Sequence, residues 1–193
     1  MINLTKGQGI DLTKKGSTLK RVNVALGWAE AKKGIFGFLK DDIDCDASVA
    51  CLNKKGKLLG TDFVVYYGNK TIDGIHHSGD DLVGGGNKDN ETISIEFDEI
   101  SSKVDRIPIF MNIYKASDRG QNLGCLNKAY IRVYNADTNE ELCRYDLDND
   151  KKAKDQGFIA GELSRTEDGW KFTAIGESVS RASRVDDIIS RWY

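Results

Sequence analysis

The chain has 193 residues, of which 39% are hydrophobic, 30% charged and 9% aromatic, with 20 glycines, one proline and a formal net charge of -2. That balance is remote from the composition of disordered chains, and the length suits one domain, a generous all-β unit included. The longest apolar runs, 63–67 and 107–111, fall well short of the about 20 residues that a membrane-crossing helix needs, and residues 1–10 carry no basic-then-apolar export signal, which points to the cytoplasm.

In chain order, Val22, Val24, Leu26 and Trp28 alternate with Arg21, Asn23, Ala25 and Gly27, the period of a half-buried strand. Cys45, Ala47, Val49 and Cys51 repeat the pattern against Asp44, Asp46, Ser48 and Ala50. An apolar run at 63–67 predicts a third strand, Ile93, Ile95 and Phe97 a fourth, and Ile107, Ile109, Met111 and Ile113 a fifth that Pro108 opens, where a missing amide does least harm. Further strands are expected at 130–135, 141–145, 158–163 and 170–175. Turn signals such as Asn53-Lys54-Lys55-Gly56, Asp73-Gly74 and Glu167-Asp168-Gly169 punctuate them. Many short strands at close spacing predict an all-β fold, a two-sheet antiparallel β-sandwich. Over 183–193 the residues Val185, Ile188, Ile189 and Trp192 fall at i, i+3, i+4 and i+7, which predicts a short amphipathic C-terminal helix packed on a sheet or a partner. Neither a repeat nor a linker interrupts the chain, so one domain is expected over 1–193, with its core in 1–176 and a tail in 177–193.

Charge is unevenly spread. Residues 1–40 hold eight Lys and Arg against two acids, residues 41–99 hold five against thirteen, and the remainder is balanced. The acidic middle block repels phosphate backbones and attracts cations, so nucleic acid is not an expected partner. Cys45, Cys51, Cys125 and Cys143 are scattered without a CxxC pair, as expected for reduced core residues rather than a zinc site or a disulfide frame.

The chemistry concentrates in residues 77–91, where Asp80, Asp81, Asp89 and Glu91 accompany Asn87 and Asn90 around the consecutive Gly84, Gly85 and Gly86. Calcium takes six to eight hard oxygens at flexible distances, which a glycine-rich acidic loop can supply. The stretch is not an EF-hand, because Leu82 and Gly84 occupy the third and fifth ligand positions, and it is not a phosphate loop, because no Gly-Lys-Ser/Thr follows. From spacing alone it reads either as a calcium loop or as a solvated acidic turn. Asp62 and Asn69 bracket the 63–67 run and are further candidates. Asp44 and Asp46, two apart on one strand face, join them if that face meets the loop, and otherwise are exposed or paired with lysine. His76 and His77 point to opposite sides of a strand and cannot form a zinc pair.

In order and spacing, Ile43-Asp44-Cys45-Asp46-Ala47-Ser48, Asp62-Phe63-Val64-Val65-Tyr66-Tyr67, the 77–91 stretch, Arg119-Gly120-Gln121-Asn122-Leu123-Gly124, Ala129-Tyr130-Ile131-Arg132-Val133 and Arg144-Tyr145-Asp146-Leu147 resemble the TerD family of tellurium-resistance and general-stress proteins. The resemblance extends from Asn3 to about Gly176. It implies a calcium-binding β-sandwich of the bacterial cytoplasm. The family's Gly-Asp-Asn step falls on Gly79, Asp80 and Asp81, its Gly-x-Gly on Gly84 to Gly86, and its closing acidic cluster on Asn87, Asp89, Asn90 and Glu91, with His77 orienting the loop. Gly85, Asn87 and Asn90 replace frequent acids and Lys88 adds a positive charge, a pattern that weakens calcium binding.

The resemblance further implies resistance to tellurite and other chemical stress through a non-catalytic binding or scaffold role. Its expected partners are calcium ions and other tellurium-resistance or stress proteins, membrane proteins among them, which would place the chain peripherally at the inner membrane face without making it an integral membrane protein. A second reading is a small-molecule module, since proteins that look like this family have been described as cyclic-nucleotide binders. In that reading Arg119, Gln121, Asn122 and Arg132 carry the site. Catalysis is not expected, because no nucleophile motif is present.

Overall fold

A computed structural model describes residues 1–30, 42–79 and 89–192. Its strands are β1 (Ile2–Leu4), β2 (Gly9–Asp11), β3 (Arg21–Glu30), β4 (Cys45–Ala50), β5 (Val64–Val65), β6 (Thr71–Ile72), β7 (Ile75–His77), β8 (Glu91–Glu96), β9 (Arg106–Ile113), β10 (Leu126–Asn135), β11 (Glu141–Asp146), β12 (Gly157–Arg165) and β13 (Trp170–Val179). Two short helices, α1 (Ala116–Arg119) and α2 (Val185–Ile189), complete it.

The strands form two sheets, as the alternation predicts. The first runs β1-β11-β10-β3-β8-β7-β6 and the second β2-β13-β12-β9-β4-β5. Among the described residues every ladder is antiparallel except β1 on β11, where Ile2, Asn3 and Leu4 run parallel to Cys143, Arg144 and Tyr145. The inward rows are those the period marked. Val22, Val24, Leu26, Trp28, Ile93, Ile95 and Phe97 from the first sheet meet Cys45, Ala47, Val49, Ile107, Ile109 and Met111 from the second in one core.

The second sheet is covered on its outer side too. Ala50, Leu52, Val64, Phe110 and Ile159 pack there against Ala182, Val185, Ile188 and Ile189 of the C-terminal segment, and the Trp192 ring lies 5.7 Å from that of Phe110. The C-terminal helix is shorter than 183–193 and spans Val185–Ile189 alone. The expected strand at 63–67 also contracts, because a 3-10 turn takes Thr61–Phe63 and a tight hairpin joins Tyr66 to Asn69, leaving β5 two residues long. Beyond β5, no strand among the described residues pairs with β4 on that edge. All four cysteines are free thiols, three of them buried. Among the described residues no helix is long and apolar enough to cross a membrane.

Candidate functional site

Residues 80–88, and with them the candidate ligands Asp80, Asp81, Gly84, Gly86 and Asn87, lie outside the described residues; the positions on either side are described. At the entry, β7 delivers His77 into the core while His76 faces solvent. At the exit, Asp89 and Asn90 lead into β8, whose first residue, Glu91, is fully buried.

His77 and Glu91 converge on the bare edge of β4. Glu91 Oε2 accepts the Ala47 amide at 2.5 Å, and His77 Nε2 lies 3.1 Å from the Ala47 carbonyl. Since the Gly79 amide donates to His77 Nδ1 at 3.0 Å, the hydrogen-bond pattern assigns the ring proton to Nε2, and the imidazole is neutral. The two side chains thus do for Ala47 what a neighbouring strand would do. They also tie the first sheet to the second, because β7 and β8 belong to one and β4 to the other.

The Glu91 carboxylate is only partly satisfied by the described residues. Among the described residues its one ion-pair partner is His77, 3.4 Å away and neutral in this tautomer, and Glu91 Oε1 accepts no hydrogen bond. A buried carboxylate oxygen in that condition is costly unless a cation or donor reaches it. Other acids are close. The Cys45 thiol is pushed well above its ordinary range, first by burial and then by the charges of Asp46, Glu91 and Asp44.

Asp44 and Asp46 are buried, not displayed to solvent. Asn112 Nδ2 donates to Asp46 Oδ2 at 3.1 Å, and Arg119 Nη1 approaches Asp44 Oδ2 at 3.9 Å. Burial, followed by the Asp46 charge, pushes the neighbouring Tyr67 hydroxyl up to about 12. Gln121 Nε2 donates to the Asp42 carbonyl at 3.3 Å, while the Asn122 side chain accepts the Gly124 amide at 3.0 Å. Gln121 therefore braces the backbone beside Asp44, Arg119 faces the Asp44 carboxylate, and Asn122 caps a turn.

Asp89 lies outside the sandwich, and sequence reasoning did not foresee its partner. Arg132 grips it in a bidentate pair, Nε at 2.9 Å from Oδ1 and Nη2 at 2.6 Å from Oδ2. The Tyr130 hydroxyl adds a bond of 3.0 Å to Oδ1. Arg132 also reaches Glu141 Oε2 at 3.1 Å and covers the Tyr134 ring at 4.5 Å. These acids, Asp89 foremost, raise the guanidinium pKa further. Asp62 and Asn69 have a different setting. They line a surface cavity of about 860 Å³ with Phe63, Tyr66, Ile72 and Lys103, and the Asn69 amide is spent on the Asp62 and Val64 carbonyls. Among the described residues no three His, Cys, Asp or Glu side chains are grouped to hold a metal ion.

The architecture is shared with known proteins. A crystal structure of a homologue of telluride resistance protein (TerD) from Streptomyces coelicolor A3(2) superposes with a TM-score of 0.67 at 17% identity, covering 84% of this chain and 91% of that one. In sequence the chain is 38% identical to stress response protein SCP2 of Bacillus subtilis (strain 168), over 99% of this chain and 98% of the relative. It is 40% identical to general stress protein 16U of the same organism, over 91% and 89%, and 36% identical to tellurium resistance protein TerD of Serratia marcescens, over 91% and 90%. The TerD domain itself matches from residue 1 to 190, through the sheets, both flanks of the acidic stretch and the C-terminal helix, and the chain belongs to the TerD family.

Proposed function

We propose that this chain is a non-catalytic calcium-binding stress protein, acting in the cytoplasm in resistance to tellurite and chemical damage and presenting a cation-ordered surface to other stress proteins. The observation that carries the reading is the buried Glu91 carboxylate at the exit of the acidic stretch, one oxygen of which accepts no hydrogen bond from any described residue and whose one ion-pair partner among the described residues is His77. A hard divalent cation suits that oxygen, and residues 80–91 are rich in the oxygen donors calcium prefers. Glu91 would contribute one ligand oxygen, with Asp80 and Asp81 the natural complement, and the ion would supply charge neutralisation and order rather than chemistry. A non-catalytic role is supported by His77, whose two ring nitrogens are both engaged by backbone groups rather than open to a substrate.

The relatives named for stress response and tellurium resistance support the physiological setting. The small-molecule reading has less in its favour. Arg119, Gln121, Asn122 and Arg132 are engaged within the fold, and Lys103 is the one cationic side chain among the described residues lining the cavity beside Asp62. A phosphate-bearing ligand would there face Asp62 and Asp73.

The test is a thermal melt in excess EDTA, then with calcium and with magnesium at matched ionic strength. Binding to the native state alone adds roughly 2.7 kcal/mol at about 100 times the dissociation constant, which raises the midpoint of a chain this size by about 5 to 11 °C. A calcium-selective rise that shrinks in Glu91→Gln is expected. An unchanged midpoint with calcium would overturn the reading.

A further inference from the structure

Strand β3 lies between β10 and β8, and on its outer face it carries two small residues, Ala25 and Gly27. The register sets Tyr130 beside Gly27 and Arg132 beside Ala25, while on the other side of β3 Leu26 pairs with Glu91. Two large side chains of β10 therefore cross β3 through a shallow trough to reach Asp89, just ahead of β8. The trough has to be shallow, because a β-carbon at Gly27 would overlap the Tyr130 ring. Beneath this crossing the stem of the acidic stretch is stitched to β3 twice, by the Asn90 amide on the Leu26 carbonyl at 2.8 Å and by the Trp28 amide on Asn90 Oδ1 at 3.0 Å.

We infer that Arg132, Tyr130 and Gly27 form a positioning latch, in which Asp89 is a post that fixes the exit of the acidic stretch and sets Glu91 in place before any cation arrives, rather than a cation ligand itself. The inference rests on the calcium reading for its benefit, yet its geometry is independent of it. Both Asp89 oxygens are held by charge-assisted bonds from Arg132, and a bidentate guanidinium pair is among the stronger and more directional of side-chain contacts. Preorganisation of this kind raises affinity because the stem is ordered before binding. Lysine at 132 would keep the charge and lose the fork, which separates geometry from electrostatics.

The experiment compares Arg132→Lys, Tyr130→Phe and Asp89→Asn with the parent chain in two measurements. The first is amide hydrogen exchange in EDTA. The latch predicts exchange at Trp28 and Asn90 faster by about tenfold or more in Arg132→Lys, with the amides of β12 and β13 unchanged. The second is calorimetric calcium titration, in which Arg132→Lys and Asp89→Asn are expected to lose affinity to a similar extent and Tyr130→Phe less. Unchanged exchange at Trp28 and Asn90, or exchange that rises throughout the chain, overturns the latch. Tighter calcium binding in Arg132→Lys with weaker binding in Asp89→Asn also overturns it, because Asp89 would then be a ligand that Arg132 withholds. Faster local exchange with no calcium heat in the parent chain upholds the latch and sinks the calcium reading instead.

Discussion

His77 Nε2 and Glu91 Oε2 stand 3.4 Å apart inside the sandwich, and both are directed at the backbone of one residue, Ala47. Removing either leaves a buried peptide group of β4 unsatisfied, at about 1 to 3 kcal/mol. His77→Phe is expected to fall in that range by urea unfolding. Glu91→Gln should cost less, because the amide oxygen still accepts from Ala47. Equal stability of His77→Phe and the parent chain would show that the clamp contributes nothing.

Thiol chemistry gives a second expectation. Cys51 and Cys143 are pushed up to about 12, in both cases mainly by burial, and Cys45 is also raised. In the native chain these thiols keep their protons at pH values where an unfolded cysteine, near 8.5, has lost its own. The native state then binds more protons, so stability is intact below about pH 8.5 and declines above it, by about 1.4 kcal/mol per pH unit for each thiol. Cys143→Ala should flatten that decline by one proton's worth in urea unfolding between pH 7 and 10.5. A neutral thiol reagent should meanwhile modify Cys125 in the folded chain and all four cysteines in denaturant.

The C-terminal helix offers a third. Ile188 is fully buried against the outer face of the second sheet, and truncation of such a residue to alanine costs about 2 to 5 kcal/mol. Ile188→Ala is therefore expected to lower the urea midpoint well beyond an exposed-site control such as Lys154→Ala. A loss below 1 kcal/mol, on the order of a surface change, would mean that the helix is not part of the cooperative unit.

A fourth concerns Gly176, which holds a φ of 65° where an added β-carbon would meet the Tyr145 hydroxyl. That hydroxyl donates to Asp150 at 2.5 Å. Gly176→Ala combines left-handed strain with a lost bond, and a destabilisation of about 1 to 3 kcal/mol is expected from thermal melts.

The sequence made the sandwich legible wherever a strand was long enough to show its period, as with Val22 to Trp28, whose apolar members all face the core. It was silent on β1, β2, β6 and β7, which have two or three residues each and exist because distant partners bond to them. Alternation also suggested that Asp46 and Ser48 face outward, which they do, without revealing that this side of β4 is buried. For the candidate site, the family resemblance singled out His77. Its hold on Ala47 was not legible, because among the described residues the bare edge of β4 follows from β5 stopping short. The Arg132–Asp89 pair was equally hidden, since no local pattern links residues that far apart in the chain.

The parallel strand β1 and its successor β2 have a bearing on how the chain is made. Ile2–Leu4 closes one sheet by binding Cys143, Arg144 and Tyr145, and Gly9–Asp11 closes the other on Lys171, Phe172 and Thr173. Strands β1 and β2 are thus docked on β11 and β13, which follow them far along the chain, and neither pairing can form until those later strands are made. Such long-range closure is slow, and open borders invite pairing with a neighbouring nascent chain. A chain assembled in this order is most exposed to misassociation during its own synthesis.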